Sequence, residues 1–131
     1  MSAGLVLDTH AWVWWAAEDR CLSRKAKREI NVASRLFVPT ICLREVAMLV
    51  QQERLTFSLE VGEWLAFACA LPRVELLAIS PEIAAVSTQL GAEFHRDPAD
   101  QCIVASAICK RLPLVTKDQR IRAYSRVRTV W

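Results

Sequence analysis

The chain has 131 residues, 53% of them hydrophobic, with a formal net charge of +3. That length supports one substantial core, read here as a single domain over residues 1–131, and the hydrophobic share excludes a disordered chain. No run of about 18 apolar residues is present, which excludes a membrane-spanning helix, and the small positive charge cannot carry a nucleic-acid assignment alone.

Leu5-Val6-Leu7 reads as a short buried strand ending at Asp8. It begins almost at Met1 and leaves no room for a signal peptide, so a cytoplasmic location is expected. Thr9 is expected to cap a short apolar helix, His10 to Ala17, carrying Trp12, Trp14 and Trp15 toward the core or a partner. Ser23 caps a basic helix, Arg24 to about Ala33, with Ala26, Ile30 and Ala33 inward and Arg24, Lys25, Lys27 and Arg28 on a solvated face. Leu36-Phe37-Val38 is a second strand closed by Pro39, and Thr40 opens a helix from Ile41 to about Gln52. Ser58 is expected to cap a helix from Leu59 to Ala70 that buries Val61, Trp64, Leu65 and Ala68. Leu76 to Ile79 reads as a third strand, Ser80-Pro81 starts a helix to about Leu90, and Leu114-Val115-Thr116 is a fourth strand. A short helix near Ile121 and a strand from Val127 to Val130 finish the chain. Strands alternating with helices predict an α/β domain with a mainly parallel central sheet. Five cysteines (Cys21, Cys42, Cys69, Cys102 and Cys109), odd in number and without a C-x-x-C pair, fit neither a disulfide framework nor a zinc site.

The most informative stretch is His95-Arg96-Asp97-Pro98-Ala99-Asp100-Gln101, which turns abruptly into a helix. Asp97 suits the N-cap, Pro98 the first helical position, and Asp100 the first turn near the positive end of the helix dipole. Steps of four from Asp100 reach Val104 and Ile108, so this carboxylate shares a face with side chains that are buried. Burying a carboxylate is costly unless it is paired, hydrogen-bonded or bound to metal. Glu45 is four residues from both Ile41 and Leu49 and poses the same problem. In a parallel α/β sheet the ligand crevice lies outside the carboxyl ends of the strands. Asp8 and Asp118 follow strands there, while Glu45 and Asp100 are expected in first turns of helices that start there.

Like charges this close oppose one another's ionisation, and a divalent cation removes the conflict. An all-oxygen donor set selects hard ions, Mg²⁺ or Mn²⁺, and two of them about 4 Å apart serve phosphodiester hydrolysis. Asp97 reads first as a structural cap, His10 and His95 as loop or helix-start residues, and Thr116 as satisfying local backbone or holding a water. With only Gly4, Gly62 and Gly91, the chain has no dinucleotide fingerprint and no phosphate-cradling loop, and it also lacks a G-x-S-x-G elbow.

Four segments together are similar to the PIN-domain ribonucleases, specifically the VapC-type toxins of bacterial toxin–antitoxin pairs. They are Leu5 to His10, Leu43-Arg44-Glu45-Val46-Ala47-Met48-Leu49, His95 to Ala107, and Leu112 to Asp118 with the closing Val130-Trp131. The resemblance implies a three-layer PIN-like domain with a central, mainly parallel sheet flanked by helices. It implies an acidic quartet at Asp8, Glu45, Asp100 and Asp118 that binds one or two Mg²⁺ or Mn²⁺ ions, with Asp97 as an additional ligand candidate and Thr116 as an auxiliary hydroxyl. It also implies endonucleolytic RNA cleavage, a cognate antitoxin, a homodimer and no membrane association. Arg96, Lys117 and Arg120 flank the acidic residues and are candidates for RNA phosphate contacts. Gln101 departs from the family pattern, where Arg is frequent. Two rivals remain: a receiver-like Mg²⁺-binding phosphoacceptor module and a non-catalytic PIN-fold interaction protein. The first needs an Asp after a central strand, yet the second and third predicted strands end in Pro39 and Ser80.

Overall fold

The computed structural model describes residues 4–131. In chain order these form β1 (Leu5–Leu7), α1 (Thr9–Ala16), α2 (Arg24–Val32), β2 (Leu36–Pro39), α3 (Ile41–Gln51) and α4 (Val61–Cys69). They continue as β3 (Val74–Leu77), α5 (Pro81–Ser87), α6 (Pro98–Lys110), β4 (Leu114–Val115), α7 (Gln119–Arg122) and β5 (Thr129–Val130). The strands make one sheet in the order β3-β2-β1-β4-β5, and every pairing is parallel. Helices flank this sheet to give a three-layer α/β architecture.

The central position of β1 follows from its composition, because Leu5, Val6 and Leu7 are all buried, as a strand covered on both faces requires. The connecting helices supply the cover. Helix α2 turns Ala26 and Ile30 inward and leaves Arg24, Lys25, Lys27 and Arg28 in solvent. Fully buried Trp12 lies edge-on against Trp64 of α4, ring centroids 5.4 Å apart, and Trp64 in turn stacks on Phe57 at 4.2 Å. Arg111, in the left-handed conformation (φ 57°), ends α6 and returns the chain to β4.

Several boundaries differ from the sequence expectation, each for a local reason. Asp8, not Thr9, caps α1, since its carboxylate accepts the Ala11 N–H at 2.8 Å. Glu60, not Ser58, caps α4, so that helix starts at Val61. Thr40 precedes α3 without a side-chain cap bond. Strand β3 lies two residues earlier than its hydrophobic run because β2 dictates the register, with Leu36 opposite Val74 and Pro39 opposite Leu77. As an edge strand it tolerates Leu76 in solvent. Helix α5 stops at Ser87, where Ser87 and Thr88 donate their hydroxyls to the Ala84 and Ala85 carbonyls and compete with continued helix. Strand β5 is confined to Thr129–Val130.

Candidate active site

Strands β2 and β3 lie on one side of β1, and β4 and β5 on the other. The chain direction across the sheet therefore reverses between β1 and β4. Such a reversal opens a crevice at the carboxyl ends of the two strands, because the loops leaving them diverge. Asp8 leaves β1 and Thr116-Lys117-Asp118 leave β4, whereas β2 and β3 end without a carboxylate.

Local backbone needs fix these side chains. The Asp8 N–H donates to the Val115 carbonyl at 3.1 Å, locking the end of β1 to β4. Its buried carboxylate holds the first turn of α1, and the nearby Thr116 hydroxyl favours its charged form. Thr116 is fully buried and accepts the Asp118 N–H at 3.1 Å, which leaves its own proton for Asp8. Asp118 caps α7 by accepting the Arg120 and Ile121 N–H groups at 2.8 and 3.3 Å. Asp97 caps α6 by accepting the Asp100 N–H at 3.0 Å. Asp100, in the first turn of α6, takes a 2.7 Å hydrogen bond from His95 Nε2 on Oδ2, which fixes the ring's orientation. Glu45 is the fifth residue of α3 and thus lies in the second turn, not the first as expected.

Asp8, Glu45, Asp97, Asp100 and Asp118 all line one cavity of about 440 Å³. Desolvation dominates its electrostatics. Burial pushes the Asp8 carboxyl up to about 6 against the lowering hydrogen bonds from Thr116 and Ala11, and the Asp100 and Asp118 charges add to the rise. Burial also raises Glu45, helped by the Asp97 and Asp100 charges. Asp100 is raised by burial too, despite His95. Asp118 alone is lowered, because Arg120 and two backbone N–H groups outweigh its desolvation. Arg120 Nη2 lies 3.2 Å from Asp118 Oδ2 and 3.7 Å from Asp100 Oδ2 while remaining largely exposed. Buried Cys42, beneath the same floor, is held firmly as the neutral thiol, above all by burial.

Of the candidate cations, Lys117 and Arg120 line the cavity, whereas Arg96 is exposed and does not. Sequence reasoning missed His10, Trp14, Met48 and Arg54, which also line it. His10 and Trp14 were legible in principle: residues four apart share a helical face, and the helix that carries them is capped by a carboxylate of the cavity. Arg54 was not, since it reaches the cavity from a turn closed by its N–H to the Leu49 carbonyl at 2.8 Å.

Among the described residues, no three His, Cys, Asp or Glu side chains already stand at ligand distances from a common point. The donor set nevertheless fits a hard divalent cation. It is composed of carboxylate oxygens, three of the carboxylates are pushed toward neutrality by desolvation, and Arg120 alone spans two of them.

The model of the PIN domain family matches residues 5–127. Ribonuclease VapC22 of Mycobacterium tuberculosis is 39% identical over 129 residues, covering 97% of this chain and 98% of that protein. Among solved structures, VapBC2 from Rickettsia felis, bound to a DNA fragment from its promoter, aligns with a TM-score of 0.67 at 15% identity over 96% of each chain. Mycobacterium tuberculosis VapC20, a sarcin–ricin-loop-cleaving toxin, aligns with a TM-score of 0.66 at 14% identity over 95% of this chain and 98% of that one. The two structures carry the fold; the family model and the 39% relative carry the kinship, and by them this chain belongs to the PIN-domain family as a VapC-type member.

Proposed function

We propose that this protein is a Mg²⁺- or Mn²⁺-dependent endoribonuclease, the toxin of a toxin–antitoxin pair, and that Asp8, Glu45, Asp100 and Asp118 are its catalytic carboxylates. The observation that carries the reading is their convergence, from two strand ends and two helices, on one desolvated cavity at the reversal of the sheet. Kinship with a protein named as a ribonuclease gives that cavity its reaction class.

Asp8, Glu45, Asp100 and Asp118 would hold one or two divalent ions, with Asp97 at the edge as an additional ligand. When bound, the metal supplies Lewis-acid activation of water and neutralises charge on the scissile phosphate. The chain's own groups do the rest. Thr116 holds the Asp8 carboxylate in place through its hydroxyl, and His95 holds Asp100. One carboxylate of the same floor would take the proton of the attacking water. Arg120 and Lys117, at the cavity wall, would meet phosphate oxygens, and exposed Arg96, outside the cavity, would meet the strand farther out.

The remaining assignments rest on kinship. Toxin–antitoxin complexes such as that from Klebsiella pneumoniae share this fold with a TM-score of 0.64, which supports a cognate antitoxin as partner. A cytoplasmic single-domain protein acting as a homodimer completes the proposal; no helix of the described residues is long and apolar enough to cross a membrane.

Purified protein incubated with single-stranded RNA tests the function. Internal cleavage that needs Mg²⁺ or Mn²⁺ and stops with EDTA is the expected result. Cleavage unaffected by EDTA, or a gain of one phosphoryl group from a small phosphodonor without any RNA cleavage, would overturn it.

A further inference from the structure

Helix α1 carries two indoles into opposite environments. Trp12 is fully buried against Trp64 and has an obvious packing role. Trp14, two residues on, points the other way: it is only half-buried and lines the acidic cavity. Its neighbours are unusual for a residue that only fills space. His10 lies 5.4 Å away between ring centroids and Trp131 lies 5.8 Å away, both tilted, so the three rings form an aromatic wall. The Lys117 ammonium stands 5.7 Å from the centroid of the Trp14 ring. Lys117 is exposed and takes part in no ion pair among the described residues, although it follows Thr116 and precedes Asp118. A half-buried aromatic ring and a cation that lies over it, held by no ion pair among the described residues, thus adjoin the carboxylates at the end of β4. Along α1, Trp14 lies about 9 Å from Asp8 by helical rise.

This pairing matches the chemistry of a single-stranded nucleotide. Proteins hold such nucleotides by stacking the base on an aromatic face and meeting the phosphate with a cation, and stacking tolerates any base. We propose that Trp14 and Lys117 form a nucleotide subsite beside the catalytic floor, with Trp14 stacking the base of a nucleotide that flanks the scissile bond and Lys117 binding its phosphate. The subsite rests on the ribonuclease reading and deepens it: the substrate it selects is unpaired RNA, because a base must leave its helix to reach Trp14.

The test uses the Asp100→Asn protein, which keeps the wall intact, and a fluorescein-labelled single-stranded RNA of mixed sequence, about 12 nucleotides long. An abasic nucleotide is moved through the oligonucleotide one position at a time, and binding is read by anisotropy. The Asp100→Asn protein should lose about tenfold in affinity when the abasic nucleotide occupies one particular position. Adding Trp14→Leu, which preserves apolar volume, should weaken the intact RNA by the same factor and abolish that positional effect. Adding Trp14→Phe should restore it. Lys117→Ala should reduce the slope of log affinity against log salt by about one. Equal binding of every abasic RNA, or a positional effect that survives Trp14→Leu, overturns the subsite while leaving the ribonuclease reading intact. EDTA-sensitive cleavage by the wild-type protein, measured in parallel, keeps the two outcomes separate.

Discussion

Arg35, Arg73 and Arg126, which precede strands, each have a partner, while the carboxylates that follow strands crowd together. At the amino end of the sheet, Arg73 donates to the Ile30 and Ala33 carbonyls at 2.7 and 2.8 Å, and Arg126 donates to the Gln89 carbonyl at 3.1 Å. Arg35 pairs with Glu75, and both Arg35 and Lys110 lie over the Phe37 ring, at 4.9 and 4.7 Å. At the carboxyl end, Asp8, Glu45 and Asp100 are desolvated beside one another, and only Asp118 has a cation strong enough to lower it. Satisfied charge belongs to the stability of a fold; charge kept in conflict marks the place where a ligand is meant to resolve it.

Removing one carboxylate breaks this contrast most sharply. On its proposed role as a metal ligand, Asp8→Asn should lower RNA cleavage about 100-fold while raising stability at pH 7. The sign follows from the raised carboxyl. In the folded protein Asp8 releases its proton near 6 rather than near 3.8, so the folded state binds the proton more tightly. The destabilisation is absent below about pH 4, grows as the pH rises through 6, and is complete above it, reaching on the order of 3 kcal/mol. Thermal melting in EDTA should therefore show the gap between Asp8→Asn and wild type closing as the pH falls from 7 to 4. Asparagine keeps an acceptor for the Ala11 N–H, so the helix cap survives. A variant less stable than wild type at pH 7 would contradict the account.

The opposite response is expected at the other end of the sheet. Arg73→Ala leaves the Ile30 and Ala33 carbonyls without their donor and should cost about 2 kcal/mol, with RNA cleavage by the remaining folded protein unchanged. A urea melt and a cleavage assay on the same preparation check both halves. The smallest effect is expected at the exposed Arg35–Glu75 pair, where Glu75→Gln should leave the unfolding midpoint unmoved in moderate salt, since solvent and ions already screen it. A large shift there would mean that edge strand β3 depends on charge more than on its register with β2.

What was legible without coordinates was whatever is encoded over a few residues. The aliphatic run Leu5 to Leu7, the Ser23 and Asp97 caps, Pro98 at a helix start and the parallel α/β plan all depend on neighbours in sequence, and all appear in the structure. Glu45 and Asp100 could be singled out as carboxylates on apolar helix faces, because burying such a group always demands a reason, and Asp8 and Asp118 as carboxylates that follow aliphatic strands. Tertiary structure alone decided the rest. It set β3 two residues early because a strand's extent is fixed by the partner it hydrogen-bonds, not by where its own hydrophobicity peaks. It made Asp8 the cap of α1, placed Glu45 a full turn into α3, and set the Thr116 hydroxyl to accept the Asp118 N–H near the Asp8 carboxylate. It also brought Trp14, Arg54 and Lys117 to the wall of one cavity from three separate segments. No local pattern encodes that meeting, because it depends on which loops diverge where the sheet order reverses.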